Sequence, residues 1–290
     1  MKIPKYWAQG ESVGPSPLGD LGEKMRCWGW SDVSVEEATR MGTKRALEVK
    51  KRLADHGELD RYDYGVNPLR EQCLQDWREL GETKGVIITR NKQGVEVLNT
   101  DRVVFVDVDY RQLHIASSLL DTLIGIFARK PQEPARELFE RDAIAKLKTV
   151  LGNRPSAGVR IYRTAGGLRY LFLNLELDPA GDEVAGLMHH LGADPLYMKL
   201  CEKQACYRAR LTPKPWRCGV DRLPFNYPTK NDDEQGLRES WIVEYKKTSR
   251  AYASCELVDC WGNEQTDDLT ERVIDFHDEK SGATSGRPLA

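Results

Sequence analysis

The sequence has no run of apolar residues approaching the roughly 18 that a membrane-crossing helix needs, so a helical membrane protein is not expected. No apolar stretch follows Lys2 and Lys5, and a secretory signal is not expected either. The cysteines are seven, an odd number, and scattered; without a signal they read as reduced thiols, and the expected setting is the cytoplasm. Neither sign of charge dominates, since 43 Lys and Arg stand against 45 Asp and Glu. Any nucleic-acid partner must therefore be met by a local patch. Walker-type loops, Rossmann fingerprints and Gly-x-Ser-x-Gly elbows are missing, which leaves no cue for flavin, nicotinamide or pyridoxal chemistry. Internal repeats and low-complexity segments are missing too.

What is present is a globular balance: 290 residues, 40% hydrophobic and 30% charged, enough for one large domain or two modest ones with an ample core. Ser34-Val35-Glu36-Glu37 reads as a capping box, and Val35, Ala38, Gly42, Ala46, Val49 and Leu53 continue it at helical spacing to about residue 55. Trp7, Trp28 and Trp30 read as one aromatic cluster. Asn67-Pro68 predicts a second helix carrying Leu69, Cys73, Trp77 and Leu80 on one stripe. The pattern then turns to strands. Residues 85–90 and 95–98 form a hairpin about the turn at 91–94, and 102–109 form a buried third strand.

Helices are expected over about 112–128 and 134–150, then strands over 158–163 and 168–174 around Gly166-Gly167. Two more helices, 182–191 and 194–204, precede an extended segment at 206–211 and a long surface loop over 212–236. A helix near 237–247, a strand near 251–258 and a helix near 267–278 follow. The sum is an α+β chain: a mixed sheet flanked by helices over 81–280, a small N-terminal α/β module of strands and two helices over 1–80, and a mobile tail over 281–290.

Three constellations carry chemistry. Asp107 and Asp109, at i and i+2 of a strand, project to the same face. Like charges that close repel unless a cation lies between them, and paired carboxylates suit Mg²⁺ or Mn²⁺. The plain alternative is a strand end with both carboxylates hydrated. The second constellation is the hairpin turn Gly166-Gly167 with Arg163 and Arg169 beside it, where glycine lets a phosphate approach the backbone and arginine grips it. The alternative is a simple hairpin with solvated arginines. The third is the basic stretch from Lys199 to Arg217, with Arg208, Arg210 and Lys214 interleaved with Tyr207 and Trp216. It suits a phosphate backbone with stacked bases. Pairing with the acidic stretch Asp232-Asp233-Glu234 explains it equally well.

In this order, the three segments resemble the catalytic core of the archaeo-eukaryotic primases, the primase-polymerase superfamily. Phe105 to Asp109 is similar to that family's apolar strand ending in Asp-x-Asp. Gly166 to Phe172 is similar to its second motif, with Arg169 where the family usually has histidine. Asp194 is the nearest match to a third acid, and Arg208 to Lys214 resembles the phosphate-contacting segment. The likeness spans residues 85–220. It implies an RRM-like palm in which Asp107, Asp109 and Asp194 hold Mg²⁺ or Mn²⁺. Arg163, Gly166, Gly167, Arg169, Arg208, Arg210 and Lys214 would then meet the nucleotide or template phosphates.

The expected function is metal-dependent nucleotidyl transfer on nucleoside triphosphates, with DNA or RNA as partner, in replication or repair. The rivals are a non-catalytic nucleic-acid-binding module built on the 199–217 segment and a metal-dependent phosphoesterase. A zinc site at Cys201, Cys206 and Cys218 with His189 or His190 has poor spacing, and buried free thiols are the simpler reading. Asp275-Phe276-His277-Asp278 is set aside as a helix end, where a positive histidine is favoured.

Overall fold

The computed structural model describes residues 1–13, 24–56, 67–80, 85–110 and 133–290. Strands β1 (Tyr6–Val13) and β2 (Lys24–Ser31) pair antiparallel, with Trp7 opposite Trp30, and lie on helix α1 (Val35–His56). The helix starts where the sequence places it. The Ser34 hydroxyl accepts from the Glu37 N–H at 3.2 Å, and Glu36 and Glu37 face the positive end of the helix dipole. Contact between ribbon and helix is backbone on backbone. A Cβ on Gly29 would lie 2.0 Å from the Ala38 carbonyl oxygen, and one on Gly10 1.9 Å from the Thr43 nitrogen. On the ribbon's other face, the Trp7 and Trp30 rings lie 5.7 Å apart. Trp28 is instead covered by the Arg70 guanidinium, 4.0 Å from its ring centre.

The rest of the chain is α+β, built on two four-stranded sheets. The first has the order β3 (Gln72–Asp76), β4 (Val86–Arg90), β5 (Glu96–Thr100), β9 (Tyr207–Arg210). The expected hairpin is there as β4 and β5. The helix expected from Asn67 is not: Gln72–Asp76 adds a strand to β4, and a short 3-10 turn follows at Trp77–Leu80. The i, i+4 spacing of Cys73 and Trp77 suits a helix, but pairing along the open edge of β4 satisfies the backbone and still buries the Trp77 indole against Phe276. One face of this sheet carries a buried polar network. Arg208 donates to both Glu71 oxygens at 2.7 and 3.0 Å, the Thr89 hydroxyl donates to Glu71 at 2.6 Å, and the Asn99 amide donates to Thr89 at 3.0 Å.

The second sheet has the order β10 (Cys255–Gly262), β7 (Gly158–Thr164), β8 (Gly167–Leu173), β6 (Phe105–Asp109). Its strands pair antiparallel, and the parallel direction is confined to an isolated bridge between Ala253 and Leu289. Alternation sorts its residues. Val106, Val108, Tyr170, Phe172 and Ile161 go to one face, which helix α2 (Glu133–Gly152) approaches with Leu147 and Leu151 buried. Phe105, Asp107, Arg169 and Tyr162 go to the other, where helix α6 (Asp268–Ser281) buries His277. Helices α3 (Asp182–Leu191) and α4 (Pro195–Gln204) match the sequence reading. The helix expected near 112–128 lies outside the described residues.

The loop expected over 212–236 is shorter. A 3-10 turn forms at Pro215–Arg217, and helix α5 (Asp232–Ser249) begins at an Asn231 cap. Asp232, Asp233 and Glu234 therefore fill a helical first turn, where the dipole favours acids. The tail, expected to be mobile, is pinned: Ala253 donates to the Pro288 carbonyl and Ala290 donates to that of Ala253, both at 3.0 Å. Among the described residues no helix is long and apolar enough to cross a membrane.

All seven cysteines are free. Burial pushes the Cys206 thiol up to about 11 and that of Cys201 up to about 12. A thiol raised in the fold lends stability below its unfolded pKa and loses it as pH climbs through the folded value. Thermal stability should therefore fall between about pH 8.5 and 10, before tyrosines titrate in the unfolded chain. In melts across that window, Cys206→Ala should show a shallower decline than wild type, and equal slopes would count against a buried neutral thiol at this position.

Candidate active site at the end of strand β6

Strand β6 enters the core as Phe105-Val106 and leaves it as Asp109, so its two carboxylates stand at the border of the apolar interior. Asp107 is 27% exposed and faces Arg169 across the β6–β8 pair. Arg169 donates from Nε to Oδ1 at 2.8 Å and from Nη2 to Oδ2 at 3.2 Å, a bidentate grip on a guanidinium that is only 2% exposed. Burial alone pulls Arg169 toward its neutral form; the Asp107 carboxylate more than reverses this, and the pKa ends above the ordinary value. The cation that the paired aspartates call for is thus partly supplied by the protein.

Behind Arg169 the chain of contacts continues into α6. Nη1 donates to the Arg210 carbonyl at 2.9 Å and lies 3.4 Å from His277 Nε2. A guanidinium has only donors, so Nε2 is the acceptor and the ring proton is assigned to Nδ1, which faces Asp278 Oδ1 at 2.9 Å. Asp278 is held in turn by Arg160 at 2.5 Å, and Arg160 also donates to the Tyr162 hydroxyl at 2.8 Å. The His277-Asp278 pair that reads as an ordinary helix end is therefore a buried support for Arg169. The residues were visible in the sequence; their use was not, because His277 lies 108 positions from Arg169.

In front of the pair, two further arginines converge. Burial depresses the pKa of Arg210, as does the neighbouring Arg169 charge, while Asp107 and Asp109 pull it back up. Burial likewise depresses Arg217, against the pull of Asp109. Neither guanidinium has a hydrogen-bond or ion-pair partner among the described residues. Among the described residues Arg169, Arg210 and Arg217 thus stand against Asp107 and Asp109, three wholly or partly desolvated cations facing two carboxylates, which favours an anion.

The Gly166-Gly167 turn forms the wall beside them. A Cβ on Gly167 would lie 1.9 Å from the Val108 carbonyl oxygen, which explains the glycine there. A Cβ on Gly166 would lie 3.1 Å from Asp109 Oδ1 and 3.8 Å from Arg217 Nη2, so the missing side chain leaves space between a carboxylate and a guanidinium.

The remaining expected site residues are placed differently. Asp194 arrives through its backbone, donating its N–H to the Asp107 carbonyl at 3.0 Å, while its carboxylate caps α4 by accepting from Leu196 at 3.1 Å. Arg163 lies on the opposite face of the sheet, held by Glu140 at 2.8 and 2.9 Å and by Glu256 at 3.2 Å. Arg208 belongs to the other sheet and is locked to Glu71. Lys214 sits over the Trp216 ring at 5.4 Å, three residues before Arg217. Asp107, Asp109, Gly166, Gly167, Arg169 and Arg210 are brought together, joined by Arg217, which the sequence reading placed in the basic stretch without a role at the site. A groove of about 790 Å³ lies between α3 and α4, but none of these charged residues lines it.

Among the described residues no group of three or more His, Cys, Asp or Glu is placed to hold a metal. Mg²⁺ does not need one: it is commonly held by one or two carboxylates together with substrate phosphates and water. The carboxylates of Asp107 and Asp109 suit that smaller requirement, and the guanidiniums of Arg210 and Arg217 suit the phosphate. Compared with protein-family models, curated protein sequences and solved structures, the chain matches none.

Proposed function

We propose that the end of β6 binds a nucleoside triphosphate with Mg²⁺ or Mn²⁺ and transfers its nucleotidyl group, in the manner of the primase-polymerases that residues 85–220 resemble. The observation that carries this reading is the convergence of Asp107 and Asp109 with two partly buried guanidiniums, Arg210 and Arg217, that have no hydrogen-bond or ion-pair partner among the described residues. Asp109 and Asp107 would hold the divalent ion, whose chemistry is to neutralise charge on the phosphates and to polarise the reacting oxygens. Arg210 and Arg217 orient the phosphates. Arg169 fixes the rotamer of Asp107 and, unlike histidine in the same place, keeps its charge at every physiological pH. Positioning and charge complementarity do most of the catalytic work in such transfers.

The binding-module alternative loses support from the same geometry. Tyr207 and Arg208 are buried and Arg210 is partly so, which breaks the 199–217 stretch as a continuous basic surface. The phosphoesterase alternative shares the site and is separated from transfer by its products.

The test is nucleoside triphosphate binding with Mn²⁺ in wild type and Asp109→Asn. Asp109→Asn leaves the Asp107–Arg169 pair intact, and a urea denaturation midpoint measured on the same variant separates an effect on the site from one on the fold. Affinity should fall by about tenfold or more, roughly 1.4 kcal/mol. Unchanged affinity in a folded variant, or wild-type binding indifferent to Mn²⁺, would overturn the proposal. Primer extension against hydrolysis then distinguishes transfer from phosphoester cleavage.

A further inference from the structure

Trp216 is 49% exposed, an uncommon state for the largest apolar side chain. It does not dangle. Its 3-10 turn is closed by Arg217 donating to the Lys214 carbonyl at 2.9 Å, and by Cys218 and Val220 both donating to that of Pro215 at 2.9 and 3.0 Å. Pro213 and Pro215, both ahead of Trp216, are buried, and the Tyr245 hydroxyl holds the Pro213 carbonyl at 2.5 Å. The indole is thus carried on a rigid pedestal, with the Lys214 ammonium 5.4 Å from its ring centre. The next residue is Arg217, whose Nη2 reaches the space beside Gly166 and Asp109. Consecutive Cα atoms are about 3.8 Å apart, so the aromatic platform and the phosphate-seeking guanidinium are carried on adjacent positions of one turn.

We infer that Trp216 is the stacking platform for the nucleobase of the ligand whose phosphates meet Arg210 and Arg217, so that the site selects a nucleoside triphosphate over a bare polyphosphate. The inference rests on the phosphate site proposed above. Lys214 adds to it: its ammonium, 5.4 Å from the ring centre, polarises the indole that a base would cover. The sequence reading paired Trp216 with Tyr207 as interleaved aromatics; Tyr207 is buried and donates to the Leu177 carbonyl, so the role falls to Trp216 alone.

Two ligands separate the two levels of the proposal: ATP and inorganic tripolyphosphate, each titrated with Mn²⁺ into wild type, Trp216→Ala and Trp216→Phe. Wild type should bind ATP more tightly than tripolyphosphate. Trp216→Ala should weaken ATP binding by about tenfold to a hundredfold, the loss expected when an aromatic–base stack is removed, and leave tripolyphosphate binding unchanged. Trp216→Phe should recover most of the ATP affinity. Equal ATP affinity in Trp216→Ala and wild type, with tripolyphosphate bound by both, overturns the platform and leaves the phosphate site standing. Failure of wild type to bind either ligand overturns both.

Discussion

Replacing Asp107 with alanine should destabilise the protein by about 3–5 kcal/mol, whatever it does to activity, because it strands a buried charge. Arg169 is 2% exposed and, among the described residues, receives a carboxylate from Asp107 alone, through two charge-assisted hydrogen bonds. Its remaining contacts are a backbone carbonyl and a histidine ring, neither of which carries compensating charge in the assigned tautomer. The depressed Arg210 stands beside it, so the truncated site would hold neighbouring cations with one acid fewer. Urea denaturation should show a lower midpoint for Asp107→Ala. The pair Asp107→Ala/Arg169→Met should recover part of the loss, because it removes the orphaned guanidinium as well. A wild-type midpoint in Asp107→Ala would mean that Arg169 is solvated and the site is not as described. Loss of binding in Asp107→Ala therefore says little about metal, and the Asp109→Asn variant is read beside its own denaturation midpoint.

Gly29→Ala should be nearly as damaging, by a different route. The added methyl would sit 2.0 Å from the Ala38 carbonyl oxygen and 2.2 Å from the Gly42 nitrogen, both of them backbone atoms that cannot rotate away. Relief requires β2 and α1 to separate, which opens the packing of Ala38 and Ala46, both fully buried. The expected cost is at or above the upper end of the about 1–3 kcal/mol typical of overpacking. Limited proteolysis should cut the variant within residues 1–56 under conditions that leave wild type whole. Resistance equal to wild type would contradict the close approach of ribbon and helix.

These two sites show where the sequence could be read and where it could not. The capping box at Ser34, the hairpin through Asn91 to Gly94 and the two-residue alternation of Asp107 and Asp109 are local signals, and each produced its element or its shared face. A second helix is expected and a strand is found because i, i+4 spacing at Cys73 and Trp77 is equally satisfied by a strand followed by a tight turn, and the open edge of β4 decides between them. The basic segment is divided for a physical reason of another kind. Arg208 and Arg210 look like neighbours on one surface, yet Glu71, 137 positions away, takes the first into a buried network, while the second stays at the aspartates. Partners separated by a hundred residues leave no trace in spacing or periodicity. The same holds for His277 and Arg169, and for the gap beside Gly166 into which Arg217 reaches.

The line of contacts from Asp107 through Arg169, His277 and Asp278 to Arg160 has a consequence for how such a protein can change over generations. Each member satisfies a buried neighbour, so a single replacement anywhere along the line leaves a charge or a ring nitrogen unanswered. A histidine at position 169 would no longer span the distance to both Asp107 and His277 and would bring a second imidazole against the first. Among relatives of this chain, positions 107, 160, 169, 277 and 278 should therefore be inherited as a set. Lineages that alter one should carry matching alterations in the others, while the exposed residues between them drift freely.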